Sequence, residues 1–493
     1  MLRAIFFGIG CLYTAAYEPV GLWPLTQVLL LPLLYVVLSK TGREAAKLAF
    51  YFGLGWFLCG TYWIYLSVTG PGNAAWWIGV FLVIVLSLIM AGYVALTAWL
   101  MHRLAAGQPW RLLAAAPFCW VFIEWLRGWL FSGFPWMSLG YGQIDTVLSG
   151  WAPVLGVYGV SLMVVISSTA LLVAILESGR QRWIAAAVVA VPWIAGAALS
   201  PVQWTEPTGN VINTTIIQAG IAQERKWLPE ERQPTRDFYR DRTRSAANSE
   251  LIVWPEVAIP SVTDSEERYI QSLEAISQAN AQTIVFGILE REQTSSTDET
   301  KIYNSVIGLN GGPRQVYRKR HLVPFGEYFP VPAFVRNWMR MMSLPFSDLS
   351  PGADEQPLLT TASGTRISVV ICYEDSYGAE MLFAFPAAAL LINVSNDAWF
   401  GDSIAPHQHL QIARMRSLEL GRETIRATNT GISAFIDARG EVLATGAQFE
   451  PVQMSGNVQP RSGTTPYVRF GNWPVVSLSL LVLVGFWLRS RPS

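Results

Sequence analysis

The sequence has 493 residues, 52% of them hydrophobic and only 14% charged, with 35 basic and 35 acidic side chains. Soluble proteins run at about 25% charged, so the missing charge points to segments that avoid water. A net charge of zero gives no ground for nucleic acid or for an acidic partner.

A helix needs roughly 20 apolar residues to cross a bilayer. By that rule the stretches near 2–18, 20–38, 47–67, 76–100, 112–131, 153–176 and 183–200 read as seven spans, and 473–489 as an eighth. Arg3, Lys40, Arg43, Lys47, Arg103, Arg111, Arg180, Arg182, Arg489 and Arg491 fall on one side, while the loops 67–75 and 132–143 carry no Lys or Arg. The positive-inside rule then puts both termini in the cytoplasm and the large segment before the last span on the far side. In a Gram-negative inner membrane that side is the periplasm. The first stretch also fits a cleaved signal peptide, since Arg3 precedes a short apolar run. Removing it would not move the large segment. A transporter would need charge inside the spans, and Glu124 with Arg127 offers little; three apart on one helix face, they read as a structural ion pair.

Cys11, Cys59 and Cys119 lie in apolar stretches, where Cys behaves as a small hydrophobe. Cys372 has no second cysteine in its own segment with which to form a disulfide. A thiol facing an oxidising compartment is expected to be either buried or used.

From about 205 to 470 the composition is that of an ordinary globular domain. Runs rich in Val, Ile and Thr at 211–220, 250–256, 281–290, 304–310, 366–374 and 389–397 read as strands. Charge pairs three and four apart at 229–248 and 406–427 read as helices, and the polar run 291–301 as a surface loop. Alternating strands and helices predict a layered α/β domain, whose functional side chains gather beyond the C-terminal ends of strands.

Three strand ends carry such side chains. Glu256 follows a strand and a Trp-Pro step, and its apolar neighbours Trp254, Val257 and Ala258 would raise a carboxylate pKa toward that of a general base. Arg318, Lys319 and Arg320 precede the apolar turn "HLVPFGE", so one of these cations is expected to turn inward against Glu327. Cys372 ends a third strand, with Glu374 two residues on and so on the same face. A cysteine attacking a carbonyl needs a proton acceptor and a cation or amide donors for the oxyanion. Glu, Lys and Cys supply that set without histidine. A Cys372–His321 pair would need a third group to orient the imidazole. His407 and His409, two apart on a helix, point in different directions, and a surface or helix-start role is expected rather than a metal site.

Glu256 in "WPE", Lys319 in "RKRHLVPFGE" and Cys372 in "ICYE" resemble the Glu-Lys-Cys triad of the nitrilase (carbon–nitrogen hydrolase) superfamily. "NVSNDAWFG" (393–401) and "RATNTGISAFIDARG" (426–440) extend the likeness. With apolar spans on both sides, the whole chain resembles the apolipoprotein N-acyltransferases, a membrane-bound branch of that superfamily. The resemblance implies seven transmembrane helices over 1–203, a periplasmic catalytic domain over 204–470 built as an αββα sandwich, and an eighth helix with a cytoplasmic tail over 471–493. It implies acyl transfer from a phospholipid, usually phosphatidylethanolamine, through a thioester on Cys372 to the N-terminal amine of a diacylglyceryl-cysteine apolipoprotein. Glu256 would be the base and Lys319 the oxyanion holder. Glu327 would position the triad, Tyr373 and Glu374 would shape the pocket, and Trp227, Asn396, Trp399 and Phe400 would line the cleft. No cofactor, no metal and a monomer are expected. The stretch 334–346, with Trp338, Met341, Met342, Leu344 and Phe346, reads as a membrane-dipping lid or as a core helix. A membrane-tethered amidase would use the same triad, but a small soluble substrate would not require eight spans.

Overall fold

The computed structural model describes residues 1–293, 300–328 and 348–489. The lid expected at 334–346 lies outside the described residues. The chain forms two compact units, one of Met1–Trp204 with Phe400–Leu420 and Thr464–Ser493, the other of Thr205–Trp399 with Gly421–Gly463.

The first unit is helical. Trp76–Ala105, Val147–Leu176 and Gly179–Leu199 are long and apolar enough to cross a membrane, and Leu2–Ala16, Pro24–Ser39 and Trp473–Arg489 are shorter apolar helices. Helices also cover Gly42–Thr61 and Pro109–Arg127. Trp76, Trp77, Phe81, Ile89 and Trp183 stand exposed, an apolar surface suited to lipid rather than water. Helix Leu2–Tyr13 meets Gly42–Thr61 backbone to backbone: a Cβ on Gly10 would lie 1.9 Å from Phe52 O, and one on Gly55 would lie 2.1 Å from Phe7 O. Small residues permit such approaches, which is how helices associate where water supplies no hydrophobic drive.

Glu124 and Arg127 are both buried, with Nη2 and Oε1 4.0 Å apart. Arg127 Nη1 donates to Phe134 O at 2.8 Å and Trp136 O at 2.7 Å, and Glu124 Oε1 accepts from Leu139 N at 2.9 Å. The pair therefore pins the irregular segment after its own helix, which is structural work rather than a transport path.

The helix expected over 406–427 is shorter than its charge pattern suggests. It runs Ala405–Leu420, Gly421 turns left-handed at φ +61°, and Thr424–Thr428 is already a strand. This helix belongs to the helical unit. Gln408 Oε1 accepts from Trp136 Nε1 at 2.7 Å, and Glu419 Oε1 accepts from Val157 N at 2.6 Å. His409 is fully buried with its ring 5.5 Å from that of Trp136, so the surface role expected for it is replaced by a packing one.

The second unit is an α/β sandwich. Among the described residues, one of its two large sheets has seven strands: along its main path Val452–Val458, Ile212–Gln218, Leu251–Val253, Thr283–Gln293, Thr300–Leu309 and Gln315–Arg318, with Ile259–Val262 paired to Thr283–Gln293. The other has six, ordered Val442–Thr445, Ala434–Ile436, Thr424–Thr428, Leu390–Ser395, Arg366–Ile371 and Leu359–Thr360. Alternation along each strand sorts the side chains. Ile216, Val253, Val285 and Val306 meet Ile371, Ile392, Val394 and Phe435 between the sheets. Ile217, Ile252, Trp254 and Phe286 point the other way, onto Tyr239, Ile270 and Leu273 of helices Pro229–Ser245 and Glu267–Asn280. The flanks of the loop expected at 291–301 are ladder instead, with Arg291 opposite Ile302 and Gln293 opposite Thr300.

Candidate active site

Three strands of the sandwich end where the reactive side chains stand. After Leu251–Val253 the chain turns. Trp254 N donates to Val285 O at 2.8 Å and Gly287 N donates to Pro255 O at 3.1 Å, which ties the turn to the neighbouring strand. Glu256 is buried in that turn, and Val257 beside it has φ +43°, a costly conformation for a β-branched residue. A Cβ on Gly287 would lie 2.3 Å from Val257 N and 2.7 Å from Glu256 Cα.

Lys319 follows strand Gln315–Arg318 and is 1% exposed. Its Nζ lies 2.9 Å from Glu327 Oε1 and 3.5 Å from Glu256 Oε1. Burial works against the ammonium, but Glu327, Glu256 and the neighbouring Cys372 override it and hold the pKa above the usual lysine range. Arg318 turns instead to Glu290 and Glu292, and Arg320 to the main-chain oxygens of Asp354 and Glu380. Lys319 is thus the member of the basic cluster that faces Glu327. Glu327 is itself fixed by Val323 N, which donates to Oε2 at 2.8 Å.

Cys372 lies just past Arg366–Ile371, with φ +52°, and opens a tight 3₁₀ turn over Cys372–Ser376. Because the chain leaves the strand here, the strand alternation expected to put Glu374 on the face of Cys372 does not apply. Glu374 is buried and turned to the main chain. It accepts from Ile371 N at 2.7 Å, Arg320 N at 2.7 Å and His321 N at 3.2 Å, and Tyr317 Oη donates to it at 3.0 Å. It staples the Lys319 loop to the Cys372 elbow. Glu374→Gln swaps an acceptor for a donor facing backbone N–H groups. Two lost charge-assisted bonds should cost about 3 kcal/mol of stability, read from denaturant unfolding of the purified protein. An unchanged midpoint would remove the staple.

Burial pushes the Cys372 thiol well above its ordinary value, as does the charge of Glu256, against the pull of Lys319 and a hydrogen bond from Ser395. The resting group is therefore a thiol beside a carboxylate and a fixed cation. His321 stacks on Tyr377 at 3.7 Å, and its Nδ1 lies 3.0 Å from Glu380 Oε1, so its ring is engaged by residues other than a Cys–His pair would use.

Each of the remaining expected residues has its own local setting. Tyr373 is half-buried, edge-on to Tyr377 at 5.2 Å. Trp227 is half exposed and Trp399 half-buried. Asn396 is a loop tie, donating to Gln223 Oε1 at 2.8 Å and accepting from Asn429 Nδ2 at 3.1 Å. Phe400 belongs to the helical unit, where its ring meets Trp63 at 4.8 Å.

Two further residues escaped the sequence reading. Asn304 Nδ2 donates to Glu256 Oε1 at 2.7 Å and to Glu327 Oε1 at 3.0 Å, so one amide sets both carboxylates. Its signal was a polar side chain opening the apolar run 304–309. Arg426, fully buried, donates to Asn393 Oδ1 at 2.6 Å and Asp397 Oδ2 at 3.0 Å behind the Asn396 loop. A buried arginine inside a Val/Ile-rich sheet marks such a network.

Two family models match the sequence. One, described as the apolipoprotein N-acyltransferase N-terminal domain, covers residues 9–170, and one described as carbon-nitrogen hydrolase covers 206–464. An apolipoprotein N-acyltransferase of Methylococcus capsulatus is 40% identical over 481 residues, 97% of this chain and 94% of that protein. One from Nitrosomonas europaea is 39% identical over 491 residues, 97% of this chain and 96% of its own. The Vibrio cholerae protein of the same name is 35% identical over 495 residues, 98% and 96%. Among solved structures, a carbon-nitrogen hydrolase from Helicobacter pylori G27 aligns with a TM-score of 0.37 and 16% identity, covering 57% of this chain and 95% of that one.

Proposed function

Since the chain belongs to the apolipoprotein N-acyltransferase family, we propose that it moves a fatty acyl chain from a membrane phospholipid, phosphatidylethanolamine foremost, through a cysteine thioester to the N-terminal amine of a diacylglyceryl-cysteine apolipoprotein. This is the last step of lipoprotein maturation. The observation that carries the reading is the buried cluster in which Lys319 Nζ stands 2.9 Å from Glu327 and 3.5 Å from Glu256, next to a left-handed cysteine.

Glu256 takes the proton from Cys372 Sγ as the sulfur attacks the ester carbonyl carbon. The carbonyl oxygen becomes an oxyanion, and the ammonium of Lys319 holds it. Glu327 and Asn304 keep that ammonium and the Glu256 carboxylate in place. When the tetrahedral species collapses, the ester C–O bond breaks and Glu256 returns its proton to the leaving glycerol oxygen. A lysophospholipid departs and the acyl chain stays on Cys372. The amine of the lipidated cysteine then attacks the thioester carbonyl carbon, Glu256 accepts its proton, and as the C–S bond breaks Glu256 passes that proton to the leaving sulfur, which restores the thiol and the carboxylate. A thioester keeps much of the donor's reactivity toward amines, and the apolar walls around Glu256 and Cys372 delay its hydrolysis until the acceptor arrives.

Residues 1–203 and 471–493 supply eight spans of the inner membrane with both termini cytoplasmic, and 204–470 is a periplasmic domain of nitrilase-like αββα type. The distribution of Lys and Arg and the exposed apolar helix faces support this placement.

The test is the mass of the Cys372 peptide after the enzyme meets phosphatidylethanolamine without acceptor. An acyl adduct removed by hydroxylamine, and discharged by a diacylglyceryl-cysteine peptide, is expected. Hydrolysis of small amides with the lipid untouched would transfer the site to amidase chemistry. Gly287→Ala, by pushing the Glu256 turn aside, should slow adduct formation about 100-fold; a wild-type rate would mean that the turn tolerates the shift.

A further inference from the structure

A second buried lysine stands behind Glu256. Lys226 closes the short helix Gln223–Lys226, is 3% exposed, and donates from Nζ to the main-chain oxygen of Glu256 at 3.2 Å. An ammonium is costly to bury, and here the hydrogen-bond acceptor is a carbonyl rather than a carboxylate, so the bond does not neutralise the charge. That carbonyl belongs to the residue just before Val257, whose φ is +43°. Such a conformation persists only where its surroundings over-determine it. Gly287 N holds Pro255 O at 3.1 Å from one side, Trp254 N is held by Val285 O at 2.8 Å, and Lys226 grips the Glu256 oxygen itself. The lysine is anchored in turn. Gln223 on its helix accepts from Asn396 at 2.8 Å, and Asn429 donates to both Ile221 O at 2.7 Å and Asn396 Oδ1 at 3.1 Å.

We infer that Lys226 is a positioning residue for Glu256: its ammonium fixes the strained turn that aims the carboxylate at Cys372, and losing that charge loosens the turn. The inference rests on Glu256 serving as the base, as in the reaction above.

Burial pulls the pKa of Lys226 down to about 8, against the charge of Glu256, which acts to keep it protonated. Its own helix adds Glu224 and Arg225. Lys319 and Cys372 are charged or titratable groups acting on Glu256 as well, and Lys319 is held charged well past this range. Below about 8 the bond to the Glu256 oxygen is charge-assisted, and above it the donor is a neutral amine. Charge-assisted bonds are about twice as strong as neutral ones, so acylation of Cys372 should fall about five- to tenfold as pH rises through this range.

The experiment is single-turnover acylation of Cys372 by the full-length enzyme in phosphatidylethanolamine micelles, from about pH 6 to about pH 9.5. Lys226→Met should acylate about 10- to 100-fold more slowly at neutral pH and show no alkaline limb from this group. Lys226→Gln, which keeps a neutral donor, should be intermediate and likewise lose the limb. A wild-type rate in Lys226→Met, or a limb that survives in either variant, overturns the inference. Should the Met variant not fold, the limb in wild type and its loss in Lys226→Gln decide the matter. Glu256→Gln is run beside them. If it acylates normally, the base is misassigned and the Lys226 role falls with it. If it is inactive while Lys226→Met is normal, only the Lys226 role falls.

Discussion

Cys372→Ser enzyme mixed with phosphatidylethanolamine should accumulate no acyl adduct, with turnover lower on the order of 10⁴-fold or more, and Cys372→Ala should show none. The thiol is already held above its ordinary pKa by burial and by Glu256, so the nucleophile is made only as Glu256 accepts the proton with the substrate carbonyl beside Lys319. A hydroxyl holds its proton several pKa units more tightly than a thiol, and each unit is about 1.4 kcal/mol of barrier or pre-equilibrium. The same carboxylate cannot supply that difference. Serine would also yield an ester, which lacks the thioester's reactivity toward the acceptor amine. Because Ser is smaller than Cys, the elbow at φ +52° should tolerate it, and unfolding should shift by no more than about 1 kcal/mol. Adduct mass and a thermal melt on the same sample separate the two effects. A folded Ser variant that transfers acyl chains at more than about one hundredth of the wild-type rate would mean that Cys372 is not the attacking atom.

What could be read in advance follows from how local each signal is. Eight apolar stretches could be marked because lipid demands unbroken hydrophobicity over the length of a helix. Strands such as Leu390–Ser395 announced themselves through β-branched runs. Glu256, Lys319 and Cys372 were visible because each follows an apolar strand, where a polar residue needs a reason. The parts that could not be read depend on partners far away in sequence. Asn304 bonds a carboxylate 48 positions back and another 23 ahead. Lys226 holds a carbonyl 30 residues on. Glu374 was placed by strand alternation, and the left-handed cysteine two residues earlier cancels that periodicity. The helix Ala405–Leu420 has an almost even spread of polar and apolar residues, so nothing local shows that it packs with the helical unit. Gly421, which ends it, was hidden by a charge pattern running across it.

Lys319→Met is expected to lose both stability and rate, and a second substitution tells them apart. The ammonium is 1% exposed and sits between two carboxylates that share one amide donor, Asn304. Removing it leaves the buried Glu256 and the half-buried Glu327 without that counter-charge, at about 3–5 kcal/mol. It also removes the cation that meets the oxyanion, which should slow acylation about 10³-fold. Lys319→Met with Glu327→Gln takes away one negative charge along with the positive one. That pair should recover most of the lost stability while acylation remains about 10³-fold down, because neutralising Glu327 puts no donor where the oxyanion forms. Neither variant should be rescued by changing pH. Burial works against the Lys319 ammonium, but Glu327, Glu256 and Cys372 hold it protonated beyond the alkaline range expected for Lys226, so a limb near 8 in the wild-type profile does not come from Lys319. The readouts are denaturant midpoints and single-turnover acylation on the same preparations. Recovery of rate together with stability in the double variant would make Lys319 a structural counter-ion and leave the oxyanion to backbone donors at the Cys372 elbow.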